Sequence, residues 1–372
     1  MKAKIFFSLI LTAIFVAGIT RTGISQDRFT KNFQVKKGER LSVKVSGDVR
    51  VESWSKDEVL VEVSGLDAVD RNDLKITQDG NTVSVSLRND HNASFSIKTP
   101  GQFNFDIKTS GGDLSCLGEF YGSIKGSTAG GDIKVESING NVELVTAGGD
   151  INTGNINGDL KVTTAGGDIR VGIVNGEGKM ATAGGDITVT SSSKSLNVNT
   201  AGGDIKVGNV GGEIKASTSG GDIEVGLVSG IAKLNTSGGD IKLAGAKGSA
   251  SVNTSGGDIK LENIYGFVKA NTSGGRIYAE LTPDGSDESK LSSSGGTITF
   301  LIPENAKATI EAVIKADNLK GPWIITSEYK TFKYGTDEDS KEIRATIILN
   351  GGGKLIKLTT SNSKIEIKKL NK

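Results

Sequence analysis

A short motif recurs along this chain at an almost constant interval, and this repeat limits the possible folds more than any other feature. The motif reads Thr-(Ala/Ser)-Gly-Gly-Asp-(Ile/Leu), and its aspartates are Asp113, Asp132, Asp150, Asp168, Asp186, Asp204, Asp222, Asp240 and Asp258. The first interval is 19 residues and the next seven are 18. A further copy carries Arg276 in place of aspartate, and a last copy covers Ser293 to Thr297. A period of this length predicts a stack of similar structural units.

Each 18-residue unit contains two stretches in which apolar and polar residues alternate. In the unit that begins at Asp132, the first stretch holds Ile133 and Val135, and the second holds Val142 and Leu144. Alternation with a period of two is typical of a strand with one buried face. One coil cannot cover its own apolar face, but stacked coils can. The sequence therefore predicts an all-β protein, a parallel β-solenoid (β-helix) of about ten coils of 18 residues.

The glycine pair of each motif is predicted to turn a corner of the coil. We expect this pair to adopt backbone angles that a side chain would obstruct. Thr146 and its equivalents continue the inward alternation, which predicts a ladder of threonines just before the corner. The outward positions of the first strand are predicted to form a solvated face, with Lys134, Arg170, Lys206, Lys242 and Lys260.

The regions outside the repeat complete a four-part organisation. Lys2 and Lys4 precede an apolar stretch from Ile5 to Ile19, which is typical of a secretory signal peptide. Aromatic residues concentrate on both sides of the repeat, where caps must cover the ends of the stack. We predict a signal peptide over 1–25, an N-terminal β-rich cap over 26–108, the coils over 109–297 and a C-terminal β-rich cap over 298–372. No other segment is apolar and long enough to span a membrane after removal of the signal.

Composition limits the kinds of chemistry that the chain can perform. The 44 basic and 43 acidic residues nearly cancel, so the net charge gives no general reason to expect a nucleic-acid partner. Cys116 is the only cysteine and occupies an inward position, where we expect a small buried residue rather than a reactive thiol. His91 is the only histidine and lies in a polar run. Multi-histidine metal sites are thereby excluded, and a Ser-His or Cys-His nucleophile has little support.

The nine aligned aspartates are the most prominent candidate site. Stacked carboxylates could bind calcium, but the known calcium-binding nonapeptide repeat requires a third glycine that is absent here. The favoured interpretation is that each aspartate accepts hydrogen bonds from nearby backbone amides and stabilises its turn. Calcium is retained only as a minor alternative, and no residue is assigned to a metal or cofactor site.

An enzyme is disfavoured because the carboxylates recur identically in every coil. A carbohydrate-active β-helix enzyme would need a unique pair of carboxylates in a cleft. No insertion that could wall a cleft interrupts the chain from Asp132 to Gly275, and Tyr265 and Phe267 are the only aromatics there. A hexapeptide-type acyltransferase is disfavoured too, since apolar residues do not recur every six positions. No catalytic residue is assigned.

Three features together resemble a known family. They are the segment from Phe33 to Val51 followed by Trp54, the Thr-Ser-Gly-Gly-Asp coils, and the terminal Thr360-Ser361-x-x-x-Ile365 strand. In these features the chain resembles the bacterial putative-adhesin family of exported β-solenoid proteins. The resemblance implies the solenoid architecture and supplies no catalytic residues.

The sequence thus favours a non-enzymatic, exported protein of the cell envelope or surface, acting as an adhesin or binding scaffold. Its partner would be a protein or a glycan, bound by a lateral face or a cap, and its location the periplasm, the outer cell surface or the extracellular space. The alternative is a structural or regulatory component of the periplasm.

Overall fold

A computed structural model of the chain describes residues 28–66, 70–88, 93–330 and 333–371. The predicted signal peptide over 1–25 and the single histidine, His91, lie outside the described residues. The described residues form two long sheets, sheet A and sheet B, that face each other across an apolar interior. The prediction of an all-β solenoid is confirmed, with one short helix, α1 (Asp70–Asp73), in the described part of the chain.

Strands are numbered in chain order and divide between the two sheets. Sheet A contains β1 (Phe29–Gln34), β3 (Asp48–Trp54), β4 (Glu58–Ser64), β7 (Ser94–Pro100), β9 (Leu114–Tyr121), β11 (Ile133–Asn139), β13 (Ile151–Thr153), β15 (Ile169–Val174), β17 (Ile187–Ser192), β19 (Ile205–Val210), β21 (Ile223–Val228), β23 (Ile241–Ala246), β25 (Ile259–Gly266), β27 (Ile277–Pro283), β29 (Ile298–Ile302), β31 (Ile325–Ser327) and β35 (Ile365–Lys369). Sheet B contains β2 (Arg40–Val45), β5 (Lys75–Asp79), β6 (Thr82–Ser86), β8 (Asn104–Thr109), β10 (Ile124–Ser127), β12 (Val142–Val145), β14 (Leu160–Thr163), β16 (Gly178–Ala181), β18 (Leu196–Asn199), β20 (Ile214–Ser217), β22 (Ala232–Asn235), β24 (Ala250–Asn253), β26 (Val268–Thr272), β28 (Ser289–Ser293), β30 (Ala308–Lys315), β32 (Lys333–Asp337), β33 (Glu342–Leu349) and β34 (Leu355–Ser361).

The central coils stack in parallel and in register. Ile133 of β11 pairs with Ile151 of β13 in sheet A, and Val142 of β12 pairs with Leu160 of β14 in sheet B. Each residue therefore lies beside the residue one period away, at the usual strand spacing of about 4.8 Å. The inward Ile, Val and Leu side chains form vertical columns that are almost completely buried. The 18-residue period of the sequence thus becomes the vertical repeat of the core.

The N-terminal strands do not stack in chain order. Strands β2 and β3 pair in parallel with β8 and β9 on one side and with β6 and β7 on the other. The chain leaves β3, forms the antiparallel strands β4 to β6, and returns through β7 to the coils. Aromatic side chains fill this end, and the Phe105 ring meets Phe120 edge-on with centroids 4.9 Å apart. The first coil is therefore held between two later segments.

The C-terminal strands have the same kind of arrangement. Strand β34 lies between β28 and β30, and β35 lies between β29 and β31, with all four pairings parallel. Strands β32 and β33 then extend sheet B through antiparallel pairing. The last coil is thus inserted into the stack, with earlier parts of the chain on both sides.

Candidate binding faces of the stack

A threonine at the end of each sheet B strand from β8 to β26 ties adjacent coils together. Thr146 Oγ1 donates to the carbonyl oxygen of Gly131 at 2.9 Å and accepts the N–H of Gly149 at 3.3 Å. The same two contacts recur in the coils from Thr128 to Thr272. These threonines are buried, so the predicted threonine ladder is confirmed. The ladder also extends past the motif, since Thr360 Oγ1 donates to Gly296 O at 2.7 Å.

The second glycine of each motif is required because the backbones of adjacent coils approach closely there. A Cβ atom added to Gly149 would overlap the carbonyl group of Gly131 in the coil before it. At the first glycine, Gly148, an added Cβ would lie 3.2 Å from Gly130 O, which is tight but less severe. The prediction of special backbone angles at this pair is wrong, because the motif glycines of the described coils do not have a positive φ. The second glycine therefore recurs in every copy of the motif because any side chain there would collide with the backbone of the coil before it.

The aspartates form a hydrogen-bonded ladder beside these glycines. Asp132 Oδ1 accepts the backbone N–H of Asp150 at 2.8 Å, and each aspartate does the same for the next coil. The series begins at Asp48, which accepts from Asp113 N at 2.9 Å, and ends at Arg276. The interpretation of these residues as acceptors for backbone amides is confirmed, but the amide belongs to the next coil and not to the aspartate's own turn. Among the described residues, no group of three or more His, Cys, Asp or Glu side chains is arranged to hold a metal ion.

Arg276 closes the ladder with an ion pair. Its Nε and Nη2 atoms donate to Asp258 Oδ2 at 3.0 and 2.7 Å, while its backbone N–H donates to Asp258 Oδ1 at 2.7 Å. The hydrogen bonds from the guanidinium lower the pKa of Asp258 below its ordinary value of 3.8. The arginine therefore supplies a positive charge where the next aspartate of the series would stand.

This ion pair predicts a specific pH dependence. Because the folded-state pKa of Asp258 is lowered, its ionised form stabilises the fold above the unfolded pKa, and this contribution is lost as pH falls through the folded pKa. We expect Asp258→Asn to lower the thermal midpoint at pH 7, and the difference from the wild type to vanish as pH falls well below 3.8. Asp222→Asn is the matched control, since Asp222 accepts the Asp240 N–H at 2.7 Å without an arginine partner in the described residues. Equal, pH-independent effects of both substitutions would contradict the assignment.

Cys116 lies in the core and not at a reactive site. It pairs with Val51 of β3 and Val135 of β11 in an inward column and has no exposed surface. Burial raises the pKa of its thiol to about 12. The thiolate is the nucleophilic form, so this side chain is inert at neutral pH. The prediction that Cys116 is a small buried residue is confirmed.

Open depressions lie on the outer faces of both sheets in the described part of the stack. A groove of about 800 Å³ on sheet B runs past Lys125, Glu143, Lys161 and Lys179. Glu143 contacts Lys125 at 3.1 Å and Lys161 at 2.8 Å, and these hydrogen bonds lower its pKa. A depression of about 470 Å³ on sheet A includes Tyr278. Both are grooves in a regular face, and neither has an inserted loop as a wall.

The outward residues form columns as regular as the inward ones. The predicted solvated column of sheet A, including Lys134 and Lys242, is exposed, and this prediction is confirmed. Sequence reasoning missed a second basic column on sheet B, which we term the lysine column: Lys161, Lys179, Lys215, Lys233, Lys269, Lys290 and Lys357. Counting charges at each position of the 18-residue unit would have shown most of it.

No helix in the described part of the chain has the length and apolar character needed to cross a membrane. The model of one protein family, Toastrack DUF4097, matches residues 38–231. No curated protein matches the chain.

Several solved structures align with most of the chain at low sequence identity. A "putative adhesin" from Bacteroides fragilis NCTC 9343 is 11% identical, with 93% of this chain and 98% of that chain covered and a TM-score of 0.27. A "putative adhesin" from Parabacteroides merdae ATCC 43184 is 10% identical, with 93% and 98% covered and a TM-score of 0.22. A "putative cell adhesion protein" from Clostridium sporogenes ATCC 15579 is 10% identical, with 92% and 99% covered and a TM-score of 0.18.

Proposed function

The chain belongs to the Toastrack DUF4097 family, and from this premise we propose that it is a non-enzymatic, exported binding scaffold of the cell envelope or cell surface. The family is a domain of unknown function, so the proposal is argued from the geometry of the stack. In this proposal the coils hold a long, rigid lateral face, and that face binds a partner.

The observation that carries the proposal is the uniformity of the polar groups from coil to coil. Each ladder aspartate accepts a backbone N–H from the next coil, and each ladder threonine bonds two glycines. A catalytic site requires a local exception, with groups of different environment brought to one point. The repeated carboxylates have a structural role already, which supports a binding or scaffolding function over catalysis. The proposal includes no cofactor for the same reason.

The outer faces have the character of a binding surface. Outward side chains are separated by one strand spacing along each column, so a long partner would meet the same chemical group repeatedly. Repeated weak contacts of this kind add up when the binding groups are held rigidly in place. The hydrogen bonds between coils supply that rigidity, since adjacent coils are tied at both the threonine and the aspartate ladder.

Protease accessibility tests the location that this function requires. The full chain with a C-terminal tag is expressed in its host, and intact cells are compared with cells whose outer layer has been permeabilised. We expect cleavage of the tag on intact cells, alongside an untouched periplasmic marker. Protection until permeabilisation would reject the surface role and favour a structural or regulatory component of the periplasm. A tag found only in the cytoplasmic fraction would overturn the proposal altogether.

A further inference from the structure

The lysine column occupies one continuous line on the outside of sheet B. From β14 to β34 the sheet presents nine aligned positions at this line. Seven of the nine are lysines, and the other two are the neutral residues Asn197 and Ser251. All seven lysines are exposed. At about 4.8 Å per strand, the line is roughly 38 Å long.

Most of the charge on this line is not neutralised by the protein. Lys161 contacts Glu143 at 2.8 Å, and Lys269 contacts Asp287 at 3.2 Å. The other five lysines of the column have no carboxylate within ion-pair distance among the described residues. Like charges aligned across neighbouring strands repel one another and destabilise a sheet. An anionic partner that lies along the column would remove this repulsion.

A second column beside the lysines is uncharged and consists of small residues. Its nine positions are Thr163, Ala181, Asn199, Ser217, Asn235, Asn253, Asn271, Ser292 and Thr359. Eight of the nine, all except Ala181, carry an amide or hydroxyl group, and such groups both donate and accept hydrogen bonds, which suits a partner that carries hydroxyl groups. Their small size leaves room for that partner to lie against the sheet. The two columns together form a strip with positive charge on one side and neutral hydrogen-bonding groups on the other.

Sheet A has no equivalent strip. Its basic column lies two residues from the aspartate ladder, and several of its charges are paired. Arg170 contacts Asp150 and Asp168, and Lys260 contacts Glu262 at 2.9 Å. Glu224 also interrupts the column, within 3.5 Å of Lys206. Among the described residues, three of the five basic side chains of the sheet A column therefore contact a carboxylate, against two of the seven lysines of sheet B.

We propose that the lysine column and its neutral neighbour bind a linear acidic polysaccharide, of the class built from uronic acids. This inference rests on the proposed binding function and names its ligand class. Each uronic acid ring carries one carboxylate, so a linear chain presents negative charges at regular intervals along its length, as the lysine column presents positive charges at about 4.8 Å. The ring hydroxyls would face the amide and hydroxyl groups of the second column. Electrostatic complementarity of this kind favours a partner that is both long and regular.

The composition of the strip favours a polysaccharide over a single-stranded nucleic acid. Binding of single strands relies on aromatic side chains on which bases stack, and phosphate recognition favours the bidentate geometry of arginine. Within the described residues, neither column of the strip contains an aromatic residue or an arginine. Lysine is a point charge that pairs with a carboxylate without demanding bidentate geometry.

Two matched variants of the full mature chain test the inference. The sheet B variant carries Lys215→Gln, Lys233→Gln, Lys290→Gln and Lys357→Gln. The sheet A variant carries Lys134→Gln, Lys206→Gln, Lys242→Gln and Lys260→Gln, and so loses the same charge. Binding of oligogalacturonate is measured by calorimetry at low and at physiological salt, with neutral dextran as the negative control. Circular dichroism and thermal unfolding establish that both variants are folded.

We expect the sheet B variant to bind oligogalacturonate at least about tenfold more weakly, and the sheet A variant to stay within about twofold of the wild type. Binding should weaken as salt increases. Equal losses in both variants, or no binding by the wild type, would overturn the inference. Tighter binding of a single-stranded oligonucleotide than of oligogalacturonate would also overturn it.

The two proposals fail in different ways. Wild-type chain that binds a neutral glycan or a protein surface, but not oligogalacturonate, would refute the acidic ligand and leave the scaffold function standing. Chain that binds oligogalacturonate but remains in the cytoplasmic fraction would support the ligand class and refute export.

Discussion

Replacing Gly203 by valine is expected to destabilise the protein by at least about 3 kcal/mol, at the upper end of the usual cost of overpacking. A Cβ atom at Gly203 would overlap the carbonyl oxygen of Gly185 and lie 2.5 Å from Asp186 Oδ1. Those atoms cannot move aside freely, because Asp186 Oδ1 accepts the Asp204 N–H and Gly185 O accepts the Thr200 hydroxyl. The measurement is the midpoint of thermal or denaturant unfolding.

Gly335→Val provides the matched control for this prediction. Gly335 lies in the edge strand β32, does not have a positive φ, and an added Cβ would meet no atom within 4 Å. We expect its midpoint to stay close to that of the wild type, with a change within about 0.5 kcal/mol. If Gly203→Val and Gly335→Val unfold at the same midpoint, close stacking is not the reason for glycine in the motif.

The corner of each coil was predictable because every copy repeats the same residues at the same positions. Parallel stacking in register brings Thr146 beside Thr164 and Asp132 beside Asp150, so sequence separation of 18 becomes vertical contact. The alternation of the strands then decides that the threonine points inward. The reason for the glycines was missed, because overlap with the coil before depends on how closely two backbones approach, which the sequence does not state.

The order of the strands at the two ends was not predictable from the period. Asp48 Oδ1 accepts the N–H of Asp113, which is 65 residues later in the chain, and Thr360 donates to Gly296, 64 residues before it. These contacts use the same atoms as the coil ladders. Antiparallel strands intervene between the partners in both cases, so a search at a fixed interval does not connect them.

The faces of the stack were only half predictable. The basic residues of sheet A lie two positions after the motif aspartate, so the repeat of the motif already predicts that they are aligned. The lysine column lies in the second half of the unit, where no motif marks the position and a 21-residue interval precedes Lys290. The last member, Lys357, joins the column only because β34 inserts beside β28. The register of the strands was needed to show that these lysines form one line.

Deleting residues 354–372 is expected to unfold the C-terminal end of the stack. The deletion removes β34 and β35, which lie between strands on both sides in sheet B and sheet A. It also removes four buried apolar side chains: Ile356, Leu358, Ile365 and Ile367. At about 1.5–3 kcal/mol for each buried side chain, the lost burial is comparable with the whole stability of a typical domain. Strands β30 to β33 would lose their pairing with the coils, whereas β29 would keep its pairing with β27.

The expected loss is local, because in a repeat protein each unit contacts mainly its neighbours. Limited proteolysis with mass spectrometry should therefore show rapid cleavage within residues 303–353 and continued protection of the coils before Ser293. Deleting only residues 371–372 is the control, since Asn371 is exposed and lies beyond the end of β35. An unchanged cleavage pattern in the longer deletion would mean that β30 to β33 hold to the stack without the inserted coil. Cleavage throughout the coils would instead mean that the stack unfolds as a single unit, and that the inserted coil stabilises all of it.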